Sequence, residues 1–236
     1  NQLKRDRFDV LLNPYGSAFP KHAWSAVRAF LAAGGHWVNL GGVPLAVPVV
    51  GGTGAWRPEV RQTAYHRSLG ITQAFPIAIP QAVEWEASAR HAFATALLGQ
   101  VSTPSAFAFY VRFTDTKQFP DEDGSDGPRD AVLDPLLSAI RIDTDAGNTV
   151  SRWPIAAPVV LIDRLRGESA GGRWVFVTGT GSVTAQAIRA LTAAATAGCQ
   201  RLLVRPSLAC YRDREPLVVT TELVRPGRIT GLVPRQ

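Results

Sequence analysis

The sequence lacks methionine altogether and has only two cysteines, Cys199 and Cys210, in 236 residues. These cysteines do not have the spacing of a metal site, so the pattern leaves open whether they pair or remain free thiols. The chain begins with a polar, basic stretch and shows neither an initiator methionine nor a signal peptide. We therefore expect a fragment or a processed chain.

Long apolar runs are also missing. The best candidate for a membrane span, residues 38–50, is interrupted by Gly41, Gly42, Pro44 and Pro48. Charged residues make up only 19% of the chain, whereas 21 glycines and 17 prolines are present. This composition is typical of a folded, loop-rich protein with a substantial core. We expect no membrane partner, and a cytoplasmic location is favoured over a secreted one.

The basic residues do not form a pattern that is typical of nucleic-acid binding. The net charge is +6, and all but three of the 25 basic residues are arginines scattered singly along the chain. No predicted helix carries a basic stripe, and no alternation of aromatic and basic residues provides a stacking platform. The charge therefore predicts a solvated basic surface and no nucleic-acid partner.

Apolar periodicity predicts a compact strand, helix and strand at the beginning of the chain. The strands are residues 8–13 and 36–40, and the helix between them starts near Pro20 and stops at Gly34-Gly35. Such a unit predicts a parallel crossover with both faces of the sheet buried. An α/β fold is therefore expected.

The rest of the chain divides near residue 199. We expect loops and short elements over 51–80, and a short helix or strand over 131–142. Helices are expected over 81–98 and 183–197, and strands over 106–113, 157–163 and 173–178. Short turn-bounded segments at 201–205, 217–223 and 229–233 indicate antiparallel strands. The predicted domains are thus residues 1–199, an α/β domain, and residues 200–236, an incomplete β-sandwich module.

Ligands in open α/β sheets bind at the carboxyl ends of the strands. After the first predicted strand, the candidate ligand-facing residues are Asn13, Tyr15 and Ser17. After the second predicted strand, Gly41, Gly42 and Val43 occupy the position of a nucleophile elbow that lacks its serine or cysteine. A Ser17–His22 dyad is a weaker hypothesis, because no third residue is predicted to orient the histidine.

A second loop has a composition that could hold a phosphate. Gly179, Gly181 and Ser182 follow a predicted strand and open a predicted helix, whose backbone N–H groups could bind an anion. The dinucleotide fingerprint is incomplete, because Thr184 replaces its third glycine. The competing interpretation is a tight loop with Ser182 as the helix N-cap.

Other chemistry-bearing patterns fail on spacing. The acidic run 121–127 lacks the glycine and glutamate positions of a calcium loop, so we expect no metal and no cofactor. Glu84 and Glu86 are expected on different faces of a helix, as surface residues. Trp56 and Trp153 are expected in loops, where their rings could stack on a sugar.

Residues 9–20 (DVLLNPYGSAFP) and 23–49 (AWSAVRAFLAAGGHWVNLGGVPLAVPV) resemble the class I glutamine-amidotransferase-like fold. The resemblance is to the non-catalytic version found in bacterial multi-domain glycoside hydrolases, such as the trimerisation-type domain of β-galactosidases. It implies a flavodoxin-like parallel sheet with helices on both faces, followed by the first strands of a β-sandwich. The family's Gly-x-Cys-x-Gly elbow and His-x-Glu pair do not occur in this chain, which argues against amidotransferase activity.

The sequence thus predicts an accessory domain of a carbohydrate-active enzyme, which has no catalytic residues of its own. It would act in oligomerisation, as a homo-oligomer, or in shaping a sugar site, with carbohydrate as a partner. The alternative is an enzyme domain that binds a nucleotide or small molecule at the loop of residues 179–182. A third hypothesis is a free hydrolase that uses Ser17.

Overall fold

The computed structural model describes most of the chain, and every structural statement below concerns the described part. It comprises residues 3–14, 16–52, 55–101, 105–111, 131–144, 150–165, 168–179, 181–199, 201–206, 212 and 216–224.

Strands dominate the described residues. The strands are β1 (Val10–Asn13), β2 (Ala18–Pro20), β3 (His36–Leu40), β4 (Val47–Gly52), β5 (Ala55–Pro58), β6 (Ile71–Ala78), β7 (Glu84–Ala87), β8 (Ser105–Val111), β9 (Ala131–Thr144), β10 (Val150–Arg164), β11 (Arg173–Val177), β12 (Arg201–Pro206) and β13 (Val219–Val224). The α-helices are α1 (Trp24–Ala32), α2 (Ala64–Ser68) and α3 (Ala185–Thr196), and 3-10 helices span Lys21–Ala23 and Ala92–Leu97.

The central sheet has six strands in the order β1-β3-β11-β10-β9-β7. Strand β3 pairs in parallel with β1 on one side and with β11 on the other. The pairings β11–β10, β10–β9 and β9–β7 are antiparallel. One half of the sheet is therefore parallel and the other half antiparallel. Register shifts interrupt the long β9–β10 ribbon between Pro154 and Val160, which is where a strand bends.

The parallel half of the sheet is covered on both faces. All five residues of β3 are buried, and because side chains alternate along a strand, Trp37 and Val38 enter different cores. On the face of Trp37, α1 packs through Val27, Phe30 and Leu31 against Trp174 and Phe176. On the face of Val38, α3 packs through Ala187, Leu191 and Ala195 against Val175 and Val177.

Three smaller sheets complete the described structure. They are the three-stranded sheet β2-β4-β5, the pair β6-β8 and the pair β12-β13. Strands β2 and β4 are parallel, and β5 joins β4 antiparallel through pairs such as Gly51 with Trp56. Within residues 201–224, β12 and β13 form an antiparallel hairpin, as the sequence predicted for this region.

The prediction of a flavodoxin-like parallel sheet flanked by helices is wrong, because the sheet is mixed and strands outnumber helices in the described residues. Asp163, near the end of β10, pairs with Arg173 at the start of β11, and Val159 pairs with Val177, so these two strands are antiparallel. The connection between them is too short for the crossover helix that parallel strands require. The predicted parallel pairing of the first two long strands, with a helix between them, is confirmed.

The predicted helix over residues 81–98 is also wrong. Its first half is the edge strand β7, in which Trp85 and Ala87 are partly buried while Glu84 and Glu86 are exposed. Its second half is the 3-10 helix Ala92–Leu97. The alternation of exposed and buried residues has the period of a strand, and pairing with β9 selects it over the helical period. Residues 131–142, for which helix and strand were both open, lie in β9.

The expectation that Trp56 and Trp153 lie in loops is wrong, because both residues lie in strands. Trp56 is in β5, and Trp153 is in β10. The segment 51–80 contains the short elements β5, α2 and β6, in agreement with the loops and short elements expected there. The acidic run 121–127 and the expected strand 229–233 lie outside the described residues. In the described part of the chain, no helix combines the length and apolar character needed to cross a membrane.

Candidate functional site

The turns that follow β1, β3 and β11 meet at the carboxyl edge of the parallel strands. The backbone N–H of Gly41 donates to the carbonyl of Val177 at 2.8 Å, and that of Gly42 donates to the carbonyl of Gly179 at 3.3 Å. The structure therefore brings the predicted residues Gly41, Gly42 and Gly179 together. This edge is where the sequence placed the candidate site.

Two asparagines connect the first two of these strands. Asn13 Nδ2 donates to the carbonyl of Gly16 at 2.8 Å and to Asn39 Oδ1 at 3.0 Å. Asn39 is fully buried, and its Nδ2 has no hydrogen-bond partner in the described structure. An amide donor left unpaired inside a protein is costly, so it marks a position where a ligand oxygen could be bound. The sequence analysis missed Asn39, whose signal is an amide between the apolar residues Val38 and Leu40 of a buried strand.

Glycine backbones close this edge tightly. Gly16 has a φ of +57°, and a Cβ atom built on it would lie 1.6 Å from the carbonyl oxygen of Gly41. Gly41 and Gly42 also have positive φ, and Val43 is buried. The position of the degenerate nucleophile elbow is thus filled by backbone and an apolar side chain. Nothing at this turn can attack a substrate.

In the loop before α3, the exposed residues and the N-cap of the helix differ from those that the sequence predicted. Gly179 is buried, whereas Gly181 and Ser182 are exposed. The N-cap of α3 is Thr184, whose Oγ1 accepts from the N–H of Ala187 at 3.2 Å. The interpretation of Ser182 as the N-cap is therefore wrong by two residues.

Residues 100–101 hold the last two residues of this loop, Val183 and the N-cap Thr184, in place. The N–H of Thr184 donates to the carbonyl of Gln100 at 3.1 Å, and Val183 forms an isolated bridge with Val101. Since a side chain of the protein already caps α3, the helix has less to offer to a phosphate than the sequence suggested.

Ser17 and His22 do not form a dyad. The carbonyl of Ser17 accepts a hydrogen bond from the N–H of Val47 at 2.8 Å, which joins the turn to β4. His22 is exposed, and its ring stacks on Trp56 with 5.9 Å between centroids and 25° between planes. In the described residues, no hydrogen bond joins Ser17 to His22. Tyr15, the remaining candidate at this turn, lies outside the described residues.

The Trp56 platform is the most exposed aromatic surface that the structure describes. We define it by Trp56, His22, Gly51, Lys21 and Glu59. Trp56 is 58% exposed, and it lies against Gly51, where a Cβ atom would come within 2.6 Å of the indole. Lys21 Nζ donates to Glu59 Oε1 at 2.7 Å, and this hydrogen bond raises the pKa of Lys21. The platform thus combines an open indole with charged donor and acceptor groups.

Charged residues inside apolar strands form a second feature that the sequence analysis missed. Arg173 makes a two-pronged ion pair with Asp163, with Nε–Oδ1 at 2.7 Å and Nη2–Oδ2 at 3.0 Å. Arg173 Nη1 also donates to the carbonyl of Ala194 at 3.2 Å, near the end of α3. The signal in the sequence is one acidic residue and one basic residue, each at the end of a run of apolar residues, in two successive strands. Their burial and mutual pairing indicate a structural role.

A histidine–carboxylate pair lies beside the second 3-10 helix. His91 Nε2 is 3.1 Å from Asp134 Oδ2, and Arg90 Nη1 is 3.1 Å from Asp134 Oδ1. Asp134 is buried, so it holds the imidazole in one orientation. Among the described residues, no group of three or more histidine, cysteine, aspartate or glutamate side chains is arranged to hold a metal ion. Cys199 is buried, and Cys210 lies outside the described residues.

Comparison of the chain with protein-family models, with curated proteins and with solved structures found no match.

Proposed function

We propose that this chain is a non-catalytic accessory domain of a carbohydrate-active enzyme, which binds or shapes a sugar site through the Trp56 platform. The connection to carbohydrate rests on the resemblance of the first forty residues and on the platform. The observation that carries the proposal is an indole that is 58% exposed on a small sheet, with a stacked imidazole beside it.

The platform has the chemistry that a sugar ring requires. The apolar C–H face of a pyranose can pack on an indole, which gains from covering its exposed area. The Lys21–Glu59 pair supplies donors and acceptors of the kind that sugar hydroxyls use. Gly51 contributes by its lack of a side chain, because the indole occupies that space.

A non-catalytic role agrees with the carboxyl edge of the parallel strands. The turn of residues 41–43 presents glycine backbone and the buried side chain of Val43. The expected homo-oligomer remains a prediction, which sedimentation of the purified chain would test.

A second candidate function is the binding of a nucleotide or small molecule at the carboxyl edge, and the unpaired Nδ2 of Asn39 favours it. Asn39 is buried beneath the Gly16 and Gly41 turns, so a ligand would have to displace them. The tight contact between those turns makes this function the weaker of the two.

Titration calorimetry with neutral oligosaccharides of several linkages tests the proposal on the whole chain. Trp56→Ala should abolish binding, because it removes the stacking surface. Trp153→Ala is the matched comparison, because Trp153 is similarly exposed, at 53%, but lies on β10, outside the platform. If the platform rather than any exposed indole binds the sugar, this variant should bind like the wild type. Equal loss in both variants, or no binding to any oligosaccharide, would contradict the platform.

Two further measurements separate the alternatives. Hydrolysis of aryl-glycosides by the repurified chain would overturn the non-catalytic role. A rise in melting temperature with NAD(P) or nucleotides, removed by Asn39→Leu and retained in Trp56→Ala, would favour the second candidate function.

A further inference from the structure

The Leu45 turn, residues 43–46, follows β3 and contains a strained residue. Leu45 has a φ of +54°, and in the described part of the chain it is the one residue other than glycine with a positive φ. A Cβ atom makes this left-handed conformation unfavourable. Leu45 is nevertheless only 2% exposed and packs in the core beside α1. Burial of its side chain therefore holds the turn in a conformation that its backbone disfavours.

An unpaired histidine lies against this turn. His66 of α2 is 1% exposed, and neither its Nδ1 nor its Nε2 has a hydrogen-bond partner. The backbone of Pro44 favours the charged ring, but this contact does not reach hydrogen-bond geometry. The N–H of Gln62 donates to the carbonyl of Ala46 at 2.8 Å, which ties the turn to the segment that leads into α2. Because a buried polar group without a partner is costly, the strained turn and His66 are two unfavourable features in one place.

No described side chain offsets a positive charge on His66. Burial, together with the charges of Arg61 and Arg67, lowers the pKa of His66 from the usual 6.5. The Leu45 turn and β6, which packs against α2, contain no titratable residue. On α2, Tyr65 packs on aromatic rings, and Glu59 before the helix pairs with a lysine. Protonation of His66 is therefore opposed for as long as the imidazole stays buried.

We propose that the Leu45 turn is an acid-sensitive switch, which opens the carboxyl edge of the parallel strands when His66 is protonated. A charged imidazole has two N–H donors, and both require acceptors or water. The buried position supplies neither, so the neutral ring favours the closed turn and the charged ring favours an open one. Opening also lets Leu45 return to a negative φ, which makes this turn the segment that yields.

The open state would expose apolar side chains at the candidate site. Val43 and Leu45 are buried in the closed turn, which lies directly after the glycines of this edge. A fall in pH below the ordinary histidine pKa of 6.5 would therefore uncover the edge. The switch is independent of the proposed sugar function, because neither His66 nor Leu45 belongs to the Trp56 platform.

Hydrogen exchange of the whole chain, followed by mass spectrometry at about pH 7.5 and about pH 5, tests the switch. Two amides report on the turn: the N–H of Gln62, bonded to the carbonyl of Ala46, and the N–H of Val47, bonded to the carbonyl of Ser17. After correction for the pH dependence of chemical exchange, their protection should fall by about tenfold at the lower pH. The reason is that the open turn gives His66 its ordinary pKa, so acid favours the open state.

Two variants assign the loss of protection. In His66→Leu, the two amides should keep their protection at both pH values, because this position can no longer be protonated. The variant should fold, since an apolar side chain replaces an unpaired buried ring. In His36→Gln, the amides should lose protection as in the wild type, because His36 lies at the other end of β3.

His66→Gln keeps the test decisive if His66→Leu does not fold, because glutamine is polar but neutral at every pH. Persistent protection at the lower pH is expected in this variant too. An undiminished loss in either His66 variant would show that other groups drive the opening, and would overturn the proposal. Full protection of Gln62 and Val47 in the wild type at the lower pH would overturn it as well.

Discussion

At the scale of single residues, buried polar groups decide how the strands fit together. His36 Nδ1 accepts a hydrogen bond from the backbone N–H of Arg173 at 3.0 Å, and so links the start of β3 to the start of β11. The side chain of Arg173 pairs in turn with the fully buried Asp163. This acceptor role requires a neutral imidazole, because a protonated Nδ1 carries a hydrogen.

The pKa of His36 makes stability depend on pH. Burial, assisted by the charge of Arg5, lowers this pKa to about 4 from the usual 6.5. The unfolded chain therefore takes up the proton first as the pH falls. The contribution of His36 to the free energy of unfolding should be fully present above pH 6.5. It should be lost as the pH falls towards about 4, by about 3 kcal/mol in total. Urea unfolding at a series of pH values measures this loss.

Two variants assign the effect to His36. His36→Gln keeps an acceptor for Arg173 and should flatten the pH profile, while a residual slope remains because burial also lowers the pKa of His66. His22→Gln is the comparison variant, since it makes the same substitution at an exposed histidine that does not contact Arg173. A profile of His36→Gln that matches the wild-type slope would contradict the assignment.

At the scale of elements, glycines at the turns allow the parallel strands to end close together. Gly16 and Gly99 share a left-handed backbone, with φ of +57° and +70°. They differ in surroundings, because a Cβ atom on Gly16 would overlap the carbonyl of Gly41, whereas one on Gly99 would have nothing within 4 Å. Alanine substitutions at these two glycines therefore separate the free-energy cost of a left-handed backbone from the free-energy cost of a steric clash.

Gly99→Ala should cost about 1 kcal/mol, which is the penalty of a left-handed conformation for a residue with a Cβ atom. Gly16→Ala should cost at least about 3 kcal/mol, because the turn after β1 must also move away from β3. Chemical denaturation of the two variants beside the wild type gives both values. Equal costs would mean that the three turns do not pack as closely as described.

Pairing between elements also explains why the helix predicted over residues 81–98 is wrong. Val83 and Ala87 fit a helical spacing, but Trp85 and Ala87 are also two apart and lie on the inner face of an edge strand. The pairing with β9 is a contact between segments some fifty residues apart in the chain. Local periodicity carries no information about such a partner.

At the scale of the whole molecule, the buried residues that the structure describes in the two main cores all precede Gln200. The two cores lie on opposite faces of the parallel strands and contain α1 and α3. The strands β12 and β13 pair with each other in a sheet of their own. The boundary near residue 199 stays a prediction, which truncation of the chain can test.

A chain that ends at Cys199 should therefore fold and unfold cooperatively, with a melting temperature close to that of the whole chain. A chain that ends at Gly172 is the contrast, because it lacks β11 and α3 and should not fold. Circular dichroism during heating distinguishes the two. A broad, non-cooperative transition of the longer fragment would contradict the boundary.

The local units of the fold could be predicted from sequence patterns. The strand, helix and strand of residues 10–40 and the helix that ends near Gly198 follow from apolar periodicity and from glycine stop signals, which act over a few residues. The glycines at 16, 41 and 42 and the asparagine at 13 also identified the edge at which the turns meet.

Three features could not be predicted in this way: the mixed sheet, the strand conformation of residues 84–87 and the exposed position of Trp56. Each depends on which distant segment lies alongside: β9 beside β7, β10 beside β11, and Gly51 beneath the indole. Such pairings depend on burial and hydrogen bonding summed over the whole chain, and a short window of sequence does not contain that sum.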